Sequence, residues 1–163
     1  MQFDSRAFRD ALGCFATGVA IITTRHADGQ PEGVTVNSFA SVSLDPPLVL
    51  FSLDRKARCF DCLHVAEHYA VHVLRADQAD LSSAFATKGG VPWERIAWSP
   101  GMTGCPILPG ALATLECAVH ARHDGGDHVI LVGRVLNLRC ADGDPLLYFR
   151  GRYRATAPIP AVA

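Results

Sequence analysis

The chain has 163 residues, a length that suits one domain, and residues 1–163 are expected to form a single unit. Apolar residues make up 49% and charged residues 19%, which excludes wholesale disorder. Fifteen Lys and Arg against sixteen Asp and Glu leave a formal charge of −1 with no block of like charge. That excludes the basic footprint of sequence-independent nucleic-acid binding, and a polybasic membrane anchor with it.

Ser5–Phe15 reads as a helix, with Phe8, Leu12 and Phe15 on one stripe and Gly18 ending it. Val19–Thr24 is β-branched and leads into Ala-Asp-Gly-Gln at 27–30, a hairpin signal. Gly33–Ser43 is the return strand, broken by Asp45-Pro46-Pro47, and Leu48–Leu53 is a short buried strand. Ala57–His68 reads as helical, Tyr69–Leu74 as extended and Asp77–Ala86 as helical. Residues 87–110, dense in glycine and proline, read as a long excursion over the surface. From Ala111 an alternating strand turns at Asp-Gly-Gly-Asp (124–127) into His128–Arg139, and Pro145–Tyr153 is a last strand.

This pattern predicts a mainly β fold: a six-stranded antiparallel barrel with flanking short helices. The βαβ rhythm of a parallel sheet is absent. The charged start of the chain gives no secretory signal and no apolar run approaches a membrane span, so a cytoplasmic location is expected. The six cysteines do not resemble a disulfide scaffold, and several sit in apolar segments.

The dinucleotide fingerprint G-x-G-x-x-G, the P-loop, G-x-S-x-G and H-E-x-x-H are all missing. Cys59-x-x-Cys62-x-His64-x-x-x-His68 invites a zinc site. On a continuous helix, however, the Cys pair and the His pair point to opposite faces, about 140–180° apart. No metal is expected. Of the seven histidines, His26, His68 and His123 read as solvated, and His72 and His120 as structural strand residues.

The richest segment is GVTVNSFASVSLDPPLVLFSLDRKAR (33–58). Small polar side chains at Thr35, Asn37, Ser38, Ser41, Ser43 and Ser52 precede a cationic cluster at Arg55, Lys56 and Arg58. Such an edge is either the wet side of a sheet beside a solvated turn, or a groove for a planar polar ligand with a phosphate at the cationic end.

Five pieces carry a resemblance: ATGVAIITT (16–24), the 33–58 segment, YAVHVL with Gln78 and Phe85-Ala86 behind it, GDHVILVGRV (126–135) and PLLYFRGRY (145–153). Together the chain resembles the short-chain NAD(P)H:flavin oxidoreductases, the reductase components of two-component monooxygenases on the FMN-binding split-barrel fold. The resemblance implies that Thr35, Val36, Asn37 and Ser38 line the isoalloxazine and ribityl chain. It further implies that Ser52, Leu53, Lys56 and Arg58 take the ribityl and phosphate end, that Phe85 packs beside the flavin, and that His128 and Tyr153 meet the nicotinamide. Many members of the resembled family carry a Ser or Thr where this chain has Ala57 and Cys59, which implies that phosphate binding here leans on cations and backbone N–H groups.

The resemblance also implies hydride transfer from NADH or NADPH to FMN or FAD, a homodimer, and a partner monooxygenase that receives reduced flavin by diffusion. The chemistry is the cofactor's, and no catalytic side chain is required. Two rivals stay open: a retained FMN that reduces another acceptor, and a non-catalytic flavin-binding protein.

Overall fold

The protein, seen in a computed structural model, is described over residues 4–87 and 89–157. Residues 1–3, 88 and 158–163 of the expected unit lie outside the described residues. The chain begins with helix α1 (Ser5–Leu12), capped where the Asp4 carboxylate accepts the Ala7 N–H at 2.7 Å. Strands follow at β1 (Thr17–Gly18), β2 (Ala20–Arg25), β3 (Pro31–Val36), β4 (Ala40–Leu44) and β5 (Pro47–Asp54). Then come α2 (Phe60–Val65), β6 (His68–Val73), α3 (Ala79–Phe85) and a small hairpin of β7 (Ser99–Pro100) and β8 (Pro106–Ile107). The long hairpin of β9 (Ala113–Gly125) and β10 (His128–Cys140) precedes β11 (Leu147–Phe149) and β12 (Arg152–Arg154).

The main sheet is antiparallel with strand order β3-β2-β6-β9-β10-β5-β4. It has seven strands where six were expected, and it is open: its two edges, β3 and β4, are consecutive in the chain, and no ladder joins them among the described residues. Two segments fold otherwise than expected. The single strand read over 33–43 divides at 37–39, because Ser38 turns its hydroxyl to the backbone of Ser52 instead of continuing a ladder. The strand read over 145–153 leaves the sheet and folds on itself as β11 and β12, with β11 also pairing with β1. Its two-residue turn, Arg150-Gly151, has φ of 48° and 75°, the primed geometry that suits the twist of a hairpin. Arginine is not a turn signal there, so the sequence hid it.

β2 is buried on both faces. Ile22 joins Phe51, Leu53, Leu63, Tyr69, Val71 and Leu131 on one side of the sheet. Ile21 joins Val19, Leu74, Phe85, Leu108 and Leu146 on the other, under α3 and the excursion. Each such side chain contributes about 1.5–3 kcal/mol when fully buried. The buried hydroxyls of Thr23 and Thr24 donate to the Pro106 and His68 carbonyls at 2.6 and 2.8 Å, so this strand carries no unsatisfied oxygen inward.

Three polar clamps fasten the surroundings. Fully buried His72, read correctly as structural, donates from Nδ1 to the Ile21 carbonyl (3.2 Å) and accepts the Leu108 N–H on Nε2 (3.1 Å). Burial holds it well below its ordinary pKa, at about 4. Burial also opposes the charge of Glu116, but hydrogen bonds from Thr103 and Asn137 outweigh it and hold the carboxyl below its usual range. The 101–105 turn thereby rests on β9. Glu32, 3% exposed in β3, accepts two hydrogen bonds of 2.7 Å from Arg58 and one of 2.8 Å from the Gly33 N–H.

α2 is shorter than the helix expected over 57–68, and His68 belongs to β6, so the angular argument for that residue does not apply. Cys59, Cys62, Cys105 and Cys117 are buried, while Cys14 and Cys140 are exposed. No helix among the described residues is long and apolar enough to cross a membrane.

Candidate functional site

β5 alternates strictly: Val49, Phe51 and Leu53 are buried, while Leu48, Leu50 and Ser52 are half-buried on the opposite face. Antiparallel pairing sets Ser52 opposite Ile130 and Asp54 opposite His128, so these four residues share that face at one end of the β5–β10 pair. The turn after β5 is bolted to the β9–β10 hairpin. Arg55 donates its backbone N–H to the Asp127 carbonyl (3.0 Å), its Nε to the Gly126 carbonyl (3.0 Å) and its guanidinium to Asp124 (2.6 Å). Lys56 follows, exposed, its N–H donated to Asp54 at 2.8 Å. The Lys56 ammonium forms no ion pair among the described residues.

His128 opens β10 with its side chain 40% exposed and its Nδ1 2.7 Å from the Asp127 carboxylate. That hydrogen bond from the His128 ring holds the Asp127 carboxyl below its ordinary range. With Nδ1–H turned to Asp127, a neutral ring keeps Nε2 as a hydrogen-bond acceptor.

The 35–38 edge reaches the same end of the sheet. Ser38 Oγ donates to the Ser52 carbonyl (3.2 Å) and accepts the Ser52 N–H (3.0 Å), tying the end of β3 to β5 across the open seam. Val36 packs half-buried on the core and Asn37 is exposed. Thr35 Oγ donates to the Ser82 carbonyl in α3 (2.7 Å), and the Ser82 hydroxyl lies 2.8 Å from the Tyr153 hydroxyl in β12.

Three expected residues are placed otherwise than as ligand-lining side chains. Leu53 is 1% exposed and its side chain belongs to the core, leaving only its backbone for a ligand. Phe85, 3% exposed, stands edge-on to Trp93 and against the backbone of Gly33, where a Cβ would come within 2.7 Å of its ring; it supports β3 from behind. Arg58 is engaged by Glu32, which raises its pKa, so it is not a free cation for phosphate. Cys59, where a hydroxyl was noted as missing, makes no side-chain cap bond, and burial pushes its thiol up to about 11.

Asn37 lines a cleft of about 840 Å³ between α1 and the β11–β12 turn, together with Arg9, Cys14, Tyr148 and Arg150. A second cleft of about 920 Å³, beside the β2–β3 turn and α2, contains none of the expected residues. Sequence reasoning missed Ser82, Glu32 and Arg55 as organisers of the site. Arg55 stood in the cationic cluster, but neither Glu32 nor Ser82 carries a local signal, since their partners lie 26 and 71 residues away.

The arrangement offers hydroxyls, exposed backbone, one unpaired ammonium and an imidazole at one sheet end, with no nucleophile–base pair. Such a set has the chemistry to bind and orient a polar ligand.

The chain is similar to proteins of known character. FMN reductase (NADH) SmoA of Agrobacterium fabrum is 48% identical over 150 residues, covering 92% of this chain and 85% of that protein. HsaB, the reductase subunit of a flavin-dependent monooxygenase of Mycobacterium tuberculosis, is 40% identical over 160 residues, covering 96% and 85%. Among solved structures, the NADH:FAD oxidoreductase SgcE6 of Streptomyces globisporus, in complex with NAD and FAD fragments, superimposes with a TM-score of 0.90 at 36% identity, over 99% of each chain. The model of the flavin reductase like domain matches residues 12–157, which takes in every piece of the site described above. The chain belongs to the flavin reductase-like domain family.

Proposed function

We propose that this protein is an NADH-dependent flavin reductase, one domain on a split-barrel frame, that supplies reduced FMN or FAD to a separate monooxygenase. The observation that carries this reading is the meeting of Ser52, Lys56 and His128 at the sheet end sealed by the Ser38–Ser52 bond, in a chain whose relatives are named as NADH-dependent flavin reductases.

Flavin, when bound, supplies the acceptor for the hydride of reduced nicotinamide. The protein's own residues bind and orient. Lys56 holds the phosphate as the unpaired cation of the turn. The Ser52 hydroxyl and the Leu53 backbone serve the ribityl chain, and Thr35, Val36, Asn37 and Ser38 edge the ring system. His128 accepts the carboxamide N–H of nicotinamide on Nε2, with Asp127 fixing the tautomer, and Tyr153 flanks the same substrate. No side chain is needed as acid, base or nucleophile.

The reading includes a homodimer. Leu12 and Phe15, 57% and 77% exposed at and just after α1, and Leu44, 95% exposed on the edge strand β4, support it as apolar surface that a second copy would cover.

Steady-state NADH oxidation, followed at 340 nm after exhaustive desalting, tests the reading. A colourless protein that consumes NADH only when FMN or FAD is added supports it. A protein that binds flavin but consumes no NADH is a binding protein, and the proposal fails.

A further inference from the structure

Ser82 is fully buried in α3 and uses both of its polar ends. Its carbonyl accepts the Ala86 N–H of the helix (3.1 Å) and, as a second donor, the Thr35 hydroxyl (2.7 Å). Its own hydroxyl bonds that of Tyr153 (2.8 Å). Tyr153 in turn stands edge-on to Tyr148, its cross-strand neighbour, at 5.7 Å between centroids. One residue therefore joins β3, of the main sheet, to β12, of the separate three-stranded sheet. No other hydrogen bond between β3 and β12 side chains and α3 is present among the described residues.

We propose that Ser82 is a positioning residue that sets the nicotinamide side of the site against the flavin side. The coupling rests on the assignment of Thr35 to flavin and Tyr153 to nicotinamide. The Thr35 hydroxyl proton is committed to the Ser82 carbonyl, so toward a ligand Thr35 presents an acceptor. The Tyr153 hydroxyl is bonded to a side chain that is itself fully buried. Losing the Ser82 hydroxyl frees Tyr153 while the Thr35 bond, which goes to the backbone, survives.

The two arms can thus be cut separately. Ser82→Ala and Tyr153→Phe remove the same hydrogen bond from opposite ends. Each is expected to raise the KM for NADH about fivefold, with kcat within about twofold and the FMN dissociation constant unchanged, as loss of uniform substrate binding requires. The double variant is expected to be no worse than either single one. Thr35→Val is expected to weaken FMN about fivefold and leave the NADH KM alone. Melting temperatures of all four variants separate this role from a structural one, which would lower stability without the KM–kcat split. If Tyr153→Phe raises the NADH KM and Ser82→Ala does not, or if the two effects multiply in the double variant, the coupling is wrong. If neither moves the KM while the parent protein oxidises NADH with flavin, the Tyr153 assignment fails and the coupling with it, but the reductase reading stands. A parent protein without that activity sinks both.

Discussion

Arg58 lays its guanidinium flat against the Glu32 carboxylate, with two hydrogen bonds of 2.7 Å, and Glu32 is almost wholly enclosed while Arg58 keeps 44% of its side chain in solvent. The pair is a strut between β3 and the turn before α2. With Arg55 held by the β9–β10 hairpin and Arg58 by Glu32, Lys56 is the cation of that turn without an ion pair among the described residues.

Lys56→Ala is therefore expected to weaken FMN by about tenfold and riboflavin hardly at all, since only FMN carries the phosphate. Arg58→Ala is expected to act on stability instead. It leaves the buried Glu32 carboxylate with only the Gly33 N–H and the His26 ring, and with solvent screening of the exposed guanidinium the cost is about 2 kcal/mol, less than for a fully buried pair. Fluorescence titration with both flavins, beside urea melts, checks the division. Equal loss of FMN and riboflavin affinity in Lys56→Ala would remove Lys56 from the phosphate.

His128→Ala is expected to lower kcat/KM for NADH by one or two orders of magnitude, about 1.4–2.7 kcal/mol, with flavin affinity intact. Asp127→Asn keeps the ring but loses the carboxylate that fixes its tautomer, and a smaller loss of about threefold is expected. NADH kinetics at saturating FMN measure both. Unaltered kinetics in His128→Ala would exclude the residue from substrate binding.

The His72 clamp makes stability depend on acid. The ring is neutral when folded, with a pKa of about 4, but takes a proton near 6.5 once unfolded. Protons thus favour the unfolded chain below 6.5. Its contribution is complete above that value, falls as the pH drops, and is exhausted near 4, a total of about 3 kcal/mol. Urea midpoints at pH 7.5, 5.5 and 4.5 are expected to fall in that order. His72→Gln should be less stable at pH 7.5 and show a shallower dependence; an unchanged slope would assign the acid sensitivity to other groups.

Tyr69 is fully buried, and its hydroxyl, with no hydrogen-bond partner among the described residues, abuts the Cα of Gly133 at a bulge of β10. Tyr69→Phe removes an unsatisfied polar atom and is expected to be neutral or stabilising by about 1 kcal/mol. Gly133→Ala would drive a methyl into that hydroxyl and is expected to destabilise by about 2 kcal/mol. In the Tyr69→Phe background the damage should shrink. Additive effects in denaturant melts would show that the two do not clash.

The sequence disclosed what rests on local periodicity and contiguous motifs. The alternation of β9, its turn into β10 and the β2–β3 hairpin were all legible, because each depends on residues a few positions apart. What rests on distant partners was not. Arg58 reads as a free cation until Glu32, 26 residues earlier, folds beside it. Leu53 and Phe85 sit in motif positions, yet burial assigns them to the core. The break at 37–39 depends on a bond to Ser52, and the β11–β12 turn depends on Arg150 accepting a left-handed backbone.

Four thiols lie inside the protein, and burial pushes those of Cys59 and Cys62 up to about 11 and that of Cys117 to about 12. The thiolate is the form that peroxide attacks, and at neutral pH these groups hold almost none of it. Reduced flavin that meets dioxygen yields hydrogen peroxide, an oxidant that forms wherever a flavin reductase's product reaches air. The interior sulfur is shielded from that oxidant, and the two outer cysteines, 14 and 140, are the thiols that stand open to it.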